Sequence, residues 1–171
     1  MIVYLSPHFT LGELCHSDRA VALGIDNAAP PAQVTNLARL ATTLLEPVRE
    51  QFGPWSVSSA YRSPALNGAT PGASTTSAHP DGRAADGVPL ARHTPADLVR
   101  VVDWVRHSTL PFDQVIYEAI PGRDYVSRWV HLGISATGHA PRWQALMTFD
   151  GKVYAPFDAR RIDPVTGLRA A

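Results

Sequence analysis

The chain has 171 residues, 45% hydrophobic and 18% charged, with 15 basic residues balancing 15 acidic ones. That length suits one domain with a real core, and zero net charge gives no general electrostatic case for nucleic acid or an anionic membrane surface. No basic, apolar leader opens the chain, and no apolar run is long enough to span a bilayer.

In chain order, residues 1–5 read as short, apolar and extended. Residues 9–15 and 17–23 read as short helices, the second capped by Ser17 and stopped by Gly24. The lone cysteine, Cys15, excludes an internal disulfide and a cysteine-rich metal knuckle, and reads as a small buried residue. A loop over 26–31 leads into a long helix over 32–52. Val34, Leu37, Ala41, Leu44, Leu45, Val48 and Phe52 make its apolar stripe, and Pro47 predicts a bend near Thr43. Residues 55–61 alternate as a strand, and Ser63-Pro64 opens a short helix to Asn67. Residues 68–77, rich in Gly, Ala, Ser and Thr, read as a loop on the rim of a cleft. Thr94-Pro95 starts a second long helix ending near His107, with Leu98, Val101, Val102 and Val105 inward. Strands over 114–118 and 129–135 flank a turn at 121–125. Asp150-Gly151 signals a hairpin between 143–149 and 152–157, and the rest reads as an extended surface tail. The pattern predicts a single α+β domain over 1–171, a small antiparallel sheet with flanking helices.

Within this frame, His79 and Asp86 are seven residues apart, too far to share a helical face. Pro80, Asp81 and Gly82 suggest a turn, with residues 83–88 entering a strand. Gly82, Ala84 and Ala85 leave room for close approach. A strand over 129–135 beside the first would bring in His131. These three side chains then form either a metal site or a core histidine pair and a turn carboxylate. Glu118 is the one glutamate of four predicted on a strand next to that of His131, and reads either as a general base or as a surface or strand-end carboxylate. Ser77 either caps the rim loop or hydrogen-bonds a substrate. Asp81 reads as a turn residue, and His8, His16, His93, His107 and His139 have no partner at metal spacing.

Ser77-x-His79-x-x-Gly82-Arg83-Ala84-x-Asp86, preceded by Ser59-x-Tyr61-Arg62-Ser63 and followed by Trp129-x-His131, resembles the M15 zinc peptidases. These are D-Ala-D-Ala carboxypeptidases and L,D- or D,D-endopeptidases of peptidoglycan, many of them bacteriophage endolysins. Residues 9–14, 24–27, 45–49 and 112–118 match the short, phage-type branch in order. The resemblance implies a hedgehog/DD-peptidase-like fold and one zinc ion on His79, Asp86 and His131. It also implies that Arg62 binds substrate and steadies the oxyanion, that Glu118 is the base, and that a peptidoglycan stem peptide is the substrate. Many relatives carry the acidic residue three positions before the last histidine, where this chain has Arg128. A non-catalytic zinc- or wall-peptide-binding module, or a virion structural protein of the same fold, is the alternative. Made in the cytoplasm without an export signal, such an enzyme reaches the wall through a lysis lesion or on a virion, and is expected to act as a monomer.

Overall fold

A computed structural model describes residues 2–170; Met1 of the opening segment and Ala171 at the end of the tail lie outside the described residues. The opening segment does not become a strand. Tyr4 makes one isolated antiparallel bridge with Thr10, and Ile2, Val3 and Tyr4 stay exposed. Helices α1 (Leu11–Cys15) and α2 (Asp18–Leu23) follow as expected. Ser17 accepts the Ala20 N–H, and Gly24, at φ +62°, ends α2 in the left-handed conformation.

The helix expected over 32–52 is three pieces: α3 (Pro31–Leu40), a π-helical turn (Ala41–Leu45) and α4 (Glu46–Phe52). Pro47 is the reason. It brings no N–H, and its ring crowds the carbonyl four residues back. The chain absorbs both by widening the turn just upstream, where the Glu46 N–H reaches the Ala41 carbonyl. The bend expected at Thr43 thus becomes a π turn, and Leu37, Leu40, Ala41, Leu44, Leu45 and Val48 still form one fully buried stripe.

Strand β1 (Trp55–Ser59), helix α5 (Pro64–Ala69), strand β2 (Ala84–Pro89) and helix α6 (Pro95–His107) come next. In α6, Pro95 occupies the first turn, and Thr94 and Asp97 cap each other's backbone N–H groups. Strands β3 (Phe112–Pro121), β4 (Val126–Ile134), β5 (Gln144–Thr148) and β6 (Ala155–Pro156) complete a six-stranded sheet of order β1-β2-β4-β3-β5-β6. It is larger than expected, and not wholly antiparallel, because β5 lies parallel to β3. The hairpin at Asp150-Gly151 is also wider than expected, with residues 149–154 lying between the strands.

Alternation along β3 and β4 separates the two faces. Val115, Tyr117, Ala119, Val130 and Leu132 are fully buried in one hydrophobic cluster with the α3–α4 stripe and the inward face of α6. Gln114, Ile116, Glu118, Trp129 and His131 turn the other way and line a cleft. The tail is not a loose surface segment. Its Ile162 is buried and bridges Arg169, and the Gly167 carbonyl accepts the Tyr117 hydroxyl at 2.9 Å. Among the described residues, no helix is long and apolar enough to cross a membrane.

Candidate metal centre

The segment Pro80-Asp81-Gly82 turns the chain tightly enough to bring His79 back toward the strand that follows. His79–Asp81 forms a 3-10 turn closed by Gly82 at φ +67°, a left-handed position suited to glycine. The turn is pinned from outside: the Asn36 side chain donates to the Asp81 carbonyl at 2.9 Å, and the Asp81 carboxylate pairs with Arg83. As the sequence predicts, Asp81 is a turn residue. Strand β2 then carries Asp86, and the β2–β4 register sets Asp86 directly opposite His131. A Cβ on neighbouring Gly87 would collide with the Trp55 indole and the Ser56 carbonyl, so glycine lets β1 close on β2 there.

His79, Asp86 and His131 are all buried, and their candidate ligand atoms lie within 4.8 Å of one another. Asp86 Oδ2 stands 3.3 Å from His79 Nε2, and Asp86 Oδ1 stands 2.8 Å from His131 Nδ1. His79 Nδ1 donates to the Ala60 carbonyl at 2.6 Å, which fixes the tautomer and leaves the Nε2 lone pair facing the carboxylate. Burial holds the His79 imidazole below its ordinary pKa, hence neutral. For Asp86, burial alone would push the carboxyl up, but His79 and His131 override it and hold it well below the usual carboxylate range. Burial works against the charged form of His131 too, yet the hydrogen bond and charge of Asp86 lift it above its ordinary value.

This donor set fits a divalent cation of the zinc type. Two imidazoles and a carboxylate are common zinc ligands, and ligand atoms about 2.0–2.1 Å from a tetrahedral ion lie roughly 3.3 Å apart. The His79–Asp86 separation of 3.3 Å matches that spacing. His79 and Asp86 already hold the deprotonated forms that a metal needs, whereas His131 must release the proton it shares with Asp86.

Glu118 stands on β3 directly across from Trp129, and Ile116 stands across from His131, so Glu118 shares the cleft face with the three-residue cluster. Burial, and then the negative charge of Asp86, push its carboxyl up to about 7. The position three before His131 belongs to the other face. Arg128 reaches behind the sheet and donates to the Thr166 carbonyl at 2.8 Å. On an uninterrupted strand, an odd offset from His131 points away from the cleft.

Arg62 enters the cleft just beyond β1. Burial lowers its guanidinium pKa, opposed by Asp86 and Glu118, and its Nη2 donates to Ser77 Oγ at 3.4 Å. Ser77 also accepts the His79 N–H at 3.3 Å, so the same hydroxyl caps the loop and faces the cleft. The structure therefore brings Arg62, Ser77, His79, Asp86, Glu118 and His131 to one cleft of about 690 Å³. Loop 70–78 lines it together with Asp150, Gly151 and Tyr154, and Ile116 and Leu146 add apolar contacts. His8, His16, His93, His107 and His139 are exposed and line no part of it. Cys15 is only half-buried, away from the site. Sequence reasoning missed Tyr154: the Asp150-Gly151 signal announces a reversal of the chain, not what it faces. The family model described as Peptidase M15 matches residues 7–132. No curated protein matches the chain.

Proposed function

The chain belongs to the peptidase M15 family, and from that premise we propose that it is a zinc-dependent peptidase hydrolysing an amide bond in peptidoglycan stem peptides, as a D,D-carboxypeptidase or endopeptidase of the endolysin type. Membership itself indicates a metallopeptidase. The observation that carries the reading is the convergence of His79, Asp86 and His131 with a raised-pKa glutamate and a partly buried arginine in one cleft.

In this reading His79, Asp86 and His131 hold one zinc ion, which when bound supplies a Lewis acid and an acidified water. Glu118 takes the proton of the attacking water on its carboxylate and returns it to the departing nitrogen. Burial raises its carboxyl above that of an ordinary glutamate, which suits a group that takes a proton and gives it back. Arg62 donates to the oxygen that gains charge as the carbonyl becomes tetrahedral, and its planar, permanently charged fork suits that task. Ser77 steers Arg62 and offers its hydroxyl to the substrate backbone. No side-chain nucleophile is required. The enzyme works as a monomer on the cell wall, reached through host lysis or from a virion.

The test is digestion of purified peptidoglycan by zinc-loaded protein, with new amino and carboxyl ends identified by mass spectrometry. Wild type is expected to release peptide fragments. Glu118→Ala is expected to lose about 100- to 10,000-fold in kcat/KM while still binding zinc. His131→Ala is expected to lose both zinc and activity. Full activity in Glu118→Ala removes that residue as the base, and no fragments from wild type on walls of several chemotypes removes the peptidase assignment.

A further inference from the structure

Residues beyond position 132, outside the segment matched to the family, contribute their own wall to the cleft. Strand β5 lies parallel to β3, with Thr148 in register with Glu118, so the chain leaving β5 starts beside the proposed base. The return that follows is built rather than slack. Asp150 Oδ1 accepts the N–H groups of Lys152 and Val153, both at 2.8 Å, and Thr148 Oγ1 accepts the Gly151 N–H at 3.1 Å. Gly151, at φ +67°, supplies the left-handed residue that the turn needs. This brace delivers Tyr154 to the cleft lining together with Asp150 and Gly151. Among the described residues the Tyr154 hydroxyl has a single weak partner, the Gly151 carbonyl at 3.4 Å, and the residue is 44% exposed. A phenol so placed is a donor with little to lose by turning to a ligand.

We infer that Tyr154 is a second oxyanion donor, supplementing Arg62 by lending its phenolic O–H to the tetrahedral oxygen formed from the scissile carbonyl; the inference rests on the peptidase reading above. Arg62 supplies charge, and Tyr154 supplies a neutral donor from the β5–β6 return. Partial burial, with the charges of Glu118, Asp86 and Asp150, pushes the phenol up to about 12, so it keeps its proton throughout the working range of the site. No bond to Tyr154 forms or breaks; the hydrogen bond strengthens as charge grows on the oxygen and weakens as it leaves.

The experiment uses zinc-loaded full-length chain and a phosphinate analogue of D-Ala-D-Ala, whose tetrahedral anionic phosphorus group mimics the charged oxygen. Binding is measured by calorimetry for wild type and Tyr154→Phe, beside binding of the ordinary planar dipeptide. Tyr154→Phe is expected to weaken the phosphinate by about 10- to 100-fold, the worth of one hydrogen bond to a charged oxygen. Dipeptide affinity, zinc stoichiometry and the melting midpoint should be unchanged, and on peptidoglycan kcat should fall with KM within about twofold. A purely structural tyrosine would weaken both ligands together and lower the midpoint, which overturns the inference. So does equal phosphinate affinity in wild type and Tyr154→Phe, even with wild type cutting walls. Zinc-loaded wild type that neither binds phosphinate nor releases fragments overturns the peptidase reading itself, and this inference with it.

Discussion

Asp86 faces two imidazoles with one carboxylate, and that sharing sets the protonation of the whole cluster. It stabilises the charged form of His131, whereas burial keeps His79 neutral. On β3, the buried Asp113 shows the same chemistry used for stability. Its carboxylate accepts the Arg142 N–H at 2.9 Å and the guanidinium at 2.6 and 3.0 Å. Burial opposes the charged form, but these bonds hold the carboxyl below its ordinary 3.8. A depressed folded pKa means that the stabilisation is complete above the unfolded value and fades as pH falls through the folded one. Asp113→Asn should therefore cost about 1–2 kcal/mol at pH 7, the lower end for a charged pair because the Arg142 side chain is half exposed. It should also flatten the acid limb of stability below about pH 4, as urea titrations at pH 7 and pH 3 would show. At this scale the sequence was largely legible for His79, Asp86 and Glu118, because a local turn and strand alternation decide where those side chains point. Strand alternation also puts Arg128 on the face opposite His131, where it donates to the Thr166 carbonyl. Tyr154 was illegible because no local pattern says which residues a return loop will meet.

At the scale of elements, the turn between His79 and Asp86 rests on α3. A Cβ at Gly82 would stand 2.7 Å from the Gln33 carbonyl oxygen and 3.2 Å from Leu37 Cγ. Gly82→Ala should cost about 1–2 kcal/mol from the left-handed backbone alone. It should also push the turn off α3, moving His79 and weakening zinc binding, which competition titration against a chromogenic chelator would measure. A variant with wild-type zinc affinity would show that the turn is set by β2 instead. The capped helix α6 was legible because Thr94-Pro95 and the inward apolar spacing agree. The π turn was not: Leu40-Ala41 and Leu44-Leu45 are apolar pairs that keep a stripe continuous whether or not one residue is inserted. Nor was the parallel pairing of β5 with β3, since alternation marks a strand without naming its neighbour or direction.

Over the whole molecule, the core and the cleft occupy opposite faces of one sheet. His79, Asp86 and His131 are not members of the hydrophobic cluster, so that cluster does not depend on a metal held by them. Chelation should therefore abolish wall cleavage while the protein still melts in one cooperative step. The midpoint should fall by about 5–10 °C if zinc had been present at about 100 times its Kd, by linkage and the entropy of a domain this size. Calorimetry with and without chelator reads this directly, and a molecule that unfolds on chelation would mark the zinc as structural. The same sheet ties the site to strand register in an all-or-none way. Asp86 sits opposite His131 because β2 and β4 pair as they do. A slip of one residue would turn His131 into the core and present Val130 or Leu132 to the cleft. Misfolded molecules are then blanks rather than poor enzymes. In a mixed preparation, the zinc bound per chain counts the correctly assembled molecules, and activity per bound zinc should stay constant as the folded fraction falls.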